Sequence, residues 1–280
     1  AAERLANHFE GRRKIIPGRN ANLTRALPGR SPCQYRNACW LGCPYGAYFS
    51  TQSSTLPPAM ATGNLTLRPF SIATEVLYDR DTQRATGVRV MDAETLEVME
   101  FQARIVFLCA STINTPWLLM RSATDVWPDG LGSSSGELGH NLMDHHFRIG
   151  ASGRLEGLND RTVYGERPTG FYIPRYRNLF GDRREYLRGF GYQGGASREG
   201  WSRGVAELGV GGDFTERHTQ PGEWTIGAGA FGEMLPNHDN RITIDETRTD
   251  AWGLPVVAID CATGENERLM RIDMMNDMAE

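Results

Sequence analysis

An α/β fold joined to an antiparallel β domain is what this 280-residue sequence predicts, and three features predict it. Ile105 to Leu108 form a continuous apolar run, short and rich in β-branched and aromatic residues, of the kind that makes a strand buried on both faces. Small residues follow at once, Cys109 to Thr112, and then Pro116 ahead of Trp117, Leu118, Leu119 and Met120. That order predicts a helix with Pro116 at its first position and Asn114 or Thr115 as its cap. From about Phe147 the character changes to short alternating strands separated by Gly and Pro, which predicts an antiparallel sheet of five or six strands.

Taken in order, the chain begins helical and then turns basic and irregular through residue 30. Residues 31–50 form a long loop rich in Cys, Gly, Pro and aromatic side chains, with neither helical nor strand period; such a loop is a lid or binding loop, or a surface excursion held by its cysteines. Residues 54–61 (STLPPAMA) read as a short helix entered through prolines. Asn64–Arg68, Ile72–Tyr78, Val88–Asp92 and Val98–Phe101 read as strands of a small antiparallel meander beside a parallel sheet. After the helix at Pro116, a Gly/Ser loop (130–136) leads to Leu138-Gly139-His140-Asn141-Leu142-Met143-Asp144-His145. The expected strands of the second half are FRIGASGRL, TGFYIPRY, YLRGFGYQGG, GVAELGVGGDF, EWTIGAGAFGEML and NRITID. Residues 266–280 turn helical, with Leu269, Met270, Ile272 and Met275 on a helical spacing. The resulting division is 1–146, 147–260 and 261–280, the last being the start of a helical segment; both chain ends lie in expected helices, so an excerpt of a longer protein is expected.

Composition narrows the classes. A content of 40% hydrophobic and 23% charged residues is that of a globular protein, and a net charge of −4 leaves no basic footprint for nucleic acid. No apolar run approaches the roughly 18 residues of a membrane span. Five cysteines give no obvious disulfide framework, and the compartment, cytoplasmic or periplasmic, stays open. Cys33, Cys39 and Cys43 are spaced C-x5-C-x3-C, which matches no common zinc or iron–sulfur pattern closely, so no metal is expected; a packed loop, with or without a disulfide, is.

Candidate chemistry comes from two places. A strand, a small-residue turn and a helix N-terminus let backbone N–H groups approach a phosphate or cofactor, although an ordinary βα connection has the same pattern. On the second-half sheet, Tyr192 and Trp224 can stack on a sugar face while Gln193 and Glu233 can bond hydroxyls; each can equally be core or solvated, because strands alternate faces. Residues 227–232 (GAGAFG) spell G-x-G-x-x-G, but Pro236 follows too soon for a helix to open there, so these glycines are expected to serve close packing in a sheet.

Taken together, the pieces resemble the middle of a glucose–methanol–choline (GMC) flavin oxidoreductase. Ser111-Thr112-Ile113-Asn114-Thr115-Pro116-Trp117-Leu118-Leu119-Met120-Arg121-Ser122 fits the family's second signature through its serine, after which Ala123, Thr124 and Asp125 depart from the expected Gly-aliphatic-Gly. Leu138 to His145 matches the phrase V/L-G-x-N-L-x-D-H. NLTLRPFSIATEVLYD resembles the family's N-L-x-V strand pair, and CWLGCPYGAYFSTQS resembles the cysteine-bearing loop of a bacterial branch related to gluconate and glucoside dehydrogenases.

The resemblance implies part of an FAD-binding, Rossmann-like domain to residue 146, followed by a substrate-binding antiparallel sheet. It implies oxidation of an alcohol or sugar hydroxyl by hydride transfer to FAD, with an electron-acceptor subunit or cytochrome as a possible partner. Ala73 falls where the family meets the adenine through its backbone, and Ala110, Ser111 and Asn141 fall on the cofactor side. The catalytic His is implied downstream of Glu280, so no catalytic residue is expected in this chain, and His145 is assigned to a structural or cofactor-side segment. The chain alone is expected to be inactive. The competing expectation is a non-enzymatic carbohydrate-binding β-sheet module.

Overall fold

The computed structural model describes residues 2–36, 39–161, 170–198, 211–212 and 222–280. In chain order the elements are α1 (Ala2–His8), β1 (Ile16–Pro17), α2 (Leu56–Ala61), β2 (Ser71–Asp79), β3 (Arg84–Asp92), β4 (Val98–Gln102), α3 (Ser111–Arg121), β5 (His145–Leu155), β6 (Phe171–Ile173), β7 (Phe190–Arg198), β8 (Trp224–Glu233), β9 (Arg241–Thr249), β10 (Pro255–Asp260) and α4 (Glu265–Ala279). The fold is mostly antiparallel sheet with few helices. Two compact units form: residues 1–66, 145–234 and 265–280 make the first, and residues 67–144 and 235–264 the second. These units do not follow chain order, unlike the sequential division expected from sequence: 1–66 and α4 join the large sheet, and β9 and β10 join the meander.

In the first unit, the strand order is β1-β6-β7-β8-β5, every pair antiparallel. Ile149, Phe190, Tyr192 and Ala230 from one sheet face pack with Tyr186 and with Met270 and Met274 of α4. The buried stripe of α4 is Glu267, Met270, Met274 and Asp277, at helical spacing, whereas Ile272 and Met275 are exposed. The expected stripe of Leu269, Met270, Ile272 and Met275 is therefore corrected: the helix turns a mixed apolar and acidic face inward.

That acidic component is fully committed. Asp277, whose side chain has no exposed surface, meets the guanidinium groups of Arg13 at 2.5 Å and Arg177 at 2.8 Å, and accepts the Tyr192 hydroxyl at 2.5 Å and the Tyr176 hydroxyl. One turn earlier, Asp273 accepts the Tyr186 hydroxyl at 2.5 Å and pairs with Arg177 at 3.1 Å. Burial first, and donation to these carboxylates second, hold all three phenols well above the usual tyrosine range, so they remain protonated donors.

The second unit holds the three-stranded meander β2-β3-β4 and the β9–β10 hairpin. NRITID therefore belongs to a separate hairpin and not to the large sheet. Asn64–Arg68, expected as a strand, is an exposed irregular segment. The run Ile105 to Leu108 is also corrected. It follows β4 unpaired, with Ile105 69% and Phe107 82% exposed. Its residues carry strand propensity, but a strand exists only against a hydrogen-bonded neighbour, and no described strand lies beside it. All ladders among the described residues are antiparallel, so the parallel sheet expected there is not formed by them. The strand expected at 204–214 falls, apart from 211–212, outside the described residues. Residues 227–232 lie inside β8, as strand.

Helix α3 starts five residues earlier than expected, at Ser111, with Ala110 as its N-cap residue, and Pro116 sits inside it. Two anchors hold it. Trp117 Nε1 donates to the Pro255 carbonyl at 2.8 Å. Ser122, 1% exposed, accepts the Val76 backbone N–H at 2.8 Å and donates to the Leu118 carbonyl at 2.7 Å, closing the helix end onto β2. Ser122→Ala leaves a buried N–H without its partner and is expected to destabilise this unit by about 1–3 kcal/mol in urea unfolding; a loss below about 0.5 kcal/mol contradicts that role.

Candidate functional site

The eight residues singled out from sequence separate cleanly. Ala73, Ala110, Ser111 and Asn141 all lie in the second unit, and Tyr192, Gln193, Trp224 and Glu233 all lie in the first.

Ala73 is half-buried on β2, an edge strand of its sheet, beside a register shift between Ala73 and Glu75. An edge strand keeps a row of backbone donors and acceptors unpaired, which is what reading a base edge through the backbone requires. Ala110 and Ser111 form the entry to α3. Ser111 has φ of +66°, a left-handed conformation that favours glycine, and the helix start carries no side-chain cap. Its first N–H groups are therefore available to an anion, with small side chains that let one come close. This donor set fits the adenine and phosphate end of FAD in chemical kind. Asn141 differs. It also sits at positive φ, +58°, but its side-chain amide is donated to Glu137.

The segment around Asn141 is held by Gly139. Its carbonyl accepts the Ile242 N–H at 2.8 Å, and the Leu142 N–H reaches the Asn240 carbonyl at 2.9 Å, so the loop is laced onto the start of β9. Gly139 has φ of +84°, and a Cβ there would stand 2.5 Å from the Ile242 carbonyl oxygen. Only glycine meets both demands.

On the large sheet, alternation divides the other four. Tyr192 pairs with Ala230 and faces α4; it is 4% exposed, and its hydroxyl is spent on Asp277. Trp224 points to the same face, is 7% exposed, and donates its Nε1 to the Arg161 carbonyl at 3.3 Å. Both are packed residues, so their placement as sugar-stacking groups is corrected: the register turns them inward. Gln193, opposite Gly229, is exposed on the other face. Glu233 shares that face and is half-exposed, with Arg175 at 3.6 Å and Arg188 at 3.9 Å, long pairs in solvent that add little stability.

The face that carries Gln193 also carries Tyr172, its register partner on β6, and Phe231, 39% exposed, over backbone floored by Gly191, Gly227 and Gly229. An aromatic ring beside an amide above bare backbone can stack a flat apolar face and bond hydroxyls. Tyr172 and Phe231 escaped the sequence reading because membership of this face depends on strand register.

In the 31–50 loop, Cys33, Cys39 and Cys43 are free thiols, as are Cys109 and Cys261, so no disulfide closes it. Burial pushes the Cys43 thiol up, but backbone hydrogen bonds from Tyr48, Tyr45, Ala47 and Gly46 outweigh it and hold the thiol below its ordinary value.

Comparison with known proteins adds an independent line. Residues 18–147 match the family model described as GMC oxidoreductase. The chain is 30% identical over 263 residues to a 2-methyl-1,2-propanediol dehydrogenase of Mycolicibacterium austroafricanum, covering 90% of this chain and 46% of that protein. It is 26% identical over 258 residues to a fructose dehydrogenase large subunit of Gluconobacter japonicus, covering 90% of this chain and 45% of that protein. A long-chain-alcohol oxidase of Arabidopsis thaliana is 30% identical over 127 residues, 44% of this chain and 16% of that protein. The chain thus spans about half the length of the first two relatives.

Proposed function

We propose that the chain, whose residues 18–147 match the GMC oxidoreductase model, is a segment of an FAD-dependent enzyme that oxidises a hydroxyl group of an alcohol or sugar. The observation that carries this reading is the match of residues 18–147 to the GMC oxidoreductase model, with the cofactor-side candidates Ala73, Ala110 and Ser111 in one unit and the exposed face at Gln193 in the other. When bound, FAD supplies the hydride acceptor.

The chain's own residues have three tasks. The edge of β2 at Ala73 holds a base edge through its backbone, and the uncapped first turn of α3 at Ala110 and Ser111 holds phosphate, which together belong to a Rossmann-like FAD domain. The loop around Asn141, tied by Gly139, positions that side of the domain. The open sheet face at Gln193, Tyr172 and Phe231 orients the substrate. His145 serves as a strand residue of β5 paired opposite Glu233. The fructose dehydrogenase relative is named as a large subunit, which supports a partner subunit for this protein as well. The carbohydrate-binding reading loses support, because a passive module has no use for the matched family segment.

The test compares two variants of the complete protein. Ser111→Asp puts a negative charge where phosphate binds and is expected to reduce retained FAD at least tenfold. Gln193→Ala is expected to keep FAD and raise KM for the substrate several-fold. Wild-type protein without FAD, or a Ser111→Asp variant that retains it fully, would overturn the reading.

A further inference from the structure

The overall charge of −4 conceals an uneven distribution. Residues 11–74 contain seven Arg, one Lys and no Asp or Glu, a net charge of +8, while the remainder holds 22 Lys and Arg against 34 Asp and Glu. Much of this acid-free run is a built platform in the first unit. Leu23 N–H reaches the Ala47 carbonyl at 2.9 Å, Phe49 N–H reaches Ala21 at 2.9 Å, Cys33 N–H reaches Leu23 at 2.9 Å and Ser31 N–H reaches Tyr45 at 2.9 Å. Arg30 Nε fastens to the Gly46 carbonyl at 2.7 Å, with Ala47 buried beneath.

Outward, the same loop shows both charge and apolar surface. Arg25 is exposed and has no ion-pair partner among the described residues, and Arg36 is exposed with its guanidinium over the Tyr45 ring, 5.9 Å from the centroid. Beside them Tyr35 is 59%, Leu41 69% and Phe49 51% exposed. Arginine and tyrosine around an apolar centre are the residues that carry binding energy at protein interfaces, and a loop already fastened by its backbone loses little entropy on docking.

We propose that residues 18–36 and 39–50 form a docking face for a partner protein whose contact surface is acidic. Arginine forks match carboxylates bidentately, which suits Asp and Glu side chains, and the basic field speeds and orients encounter. The exposed Tyr35 and Leu41 favour a protein over a bare polyanion, and the described residues of the loop present no amphipathic helix of the kind that lies on a lipid surface. This inference concerns binding and stands apart from the redox reading above.

The probe is cytochrome c in two forms, native and basic, or with its lysines succinylated and therefore acidic, titrated against the complete protein. The succinylated form is expected to bind and the native form not to, with affinity falling steeply between about 20 and about 200 mM NaCl. Arg25→Glu with Arg36→Glu is expected to weaken binding at least tenfold while leaving the circular dichroism unchanged. Leu41→Ser is expected to weaken it several-fold without altering the salt dependence. Equal binding by the charge-reversed variant, or preference for phosphatidylglycerol vesicles or duplex DNA over the acidic protein, overturns the proposal. So does an unchanged affinity in Leu41→Ser, which leaves only a polyanion site.

Discussion

Asp277→Ala is expected to destabilise the first unit by about 3–5 kcal/mol, the largest effect of any single side chain described. The carboxylate has no exposed surface and is shared by Arg13, Arg177, Tyr176 and Tyr192. Removing it leaves the Tyr176 and Tyr192 hydroxyls without an acceptor and each guanidinium with one carboxylate instead of two, Glu280 for Arg13 and Asp273 for Arg177, which costs more than the pair is worth when intact. Urea unfolding followed by intrinsic fluorescence reads the difference. Tyr192→Phe, which removes one donor to a charged acceptor, is expected to cost about 1.5–3 kcal/mol. The same network sets the alkaline limit. Tyr176, Tyr186 and Tyr192 have folded values raised above those of the unfolded chain, so their contribution is complete below about pH 10 and is lost as pH rises beyond it. A loss below about 1 kcal/mol for Asp277→Ala contradicts the account of α4 as a charged staple.

Gly139→Ala is expected to destabilise the second unit by about 2–4 kcal/mol, combining a left-handed backbone with a methyl forced onto a carbonyl. The φ of +84° disfavours any Cβ, and the Ile242 oxygen 2.5 Å away is backbone that cannot swing aside. Gly136→Ala provides the control, because its φ of +74° carries a similar conformational cost while nothing lies within 4 Å of a Cβ there. The difference between the two variants in thermal unfolding isolates the clash; equal losses contradict it. A displaced 138–142 loop also takes Asn141 with it, so FAD retention in the complete protein should fall alongside stability.

The sequence made the meander legible because its strands alternate between clear turns, and β2, β3 and β4 stand close to their expected places. The final helix was legible too, but its inward face was not. Asp273 and Asp277 at i, i+4 look like a solvated acidic face until Arg13 and Arg177, remote in the chain, are brought against them. The strand at Ile105 failed for the opposite reason: local propensity was strong, and the neighbour it needs is not among the described residues. Alternation made every second residue of β7 and β8 a candidate, and only the register could tell that Tyr192 and Trp224 turn inward while Gln193 and Phe231 turn outward. Pro116 misplaced the start of α3 because a proline tolerated inside a helix carries the same local signal as one that opens it.

Anaerobic mixing of the complete protein with a panel of diols, primary alcohols and sugars, followed by the flavin absorbance, tests the central claim most directly. The account predicts that the purified protein carries FAD and that at least one hydroxyl substrate bleaches it, more slowly when the carbinol hydrogen is replaced by deuterium. A protein that carries no flavin, or a flavin that no hydroxyl compound reduces, would contradict it.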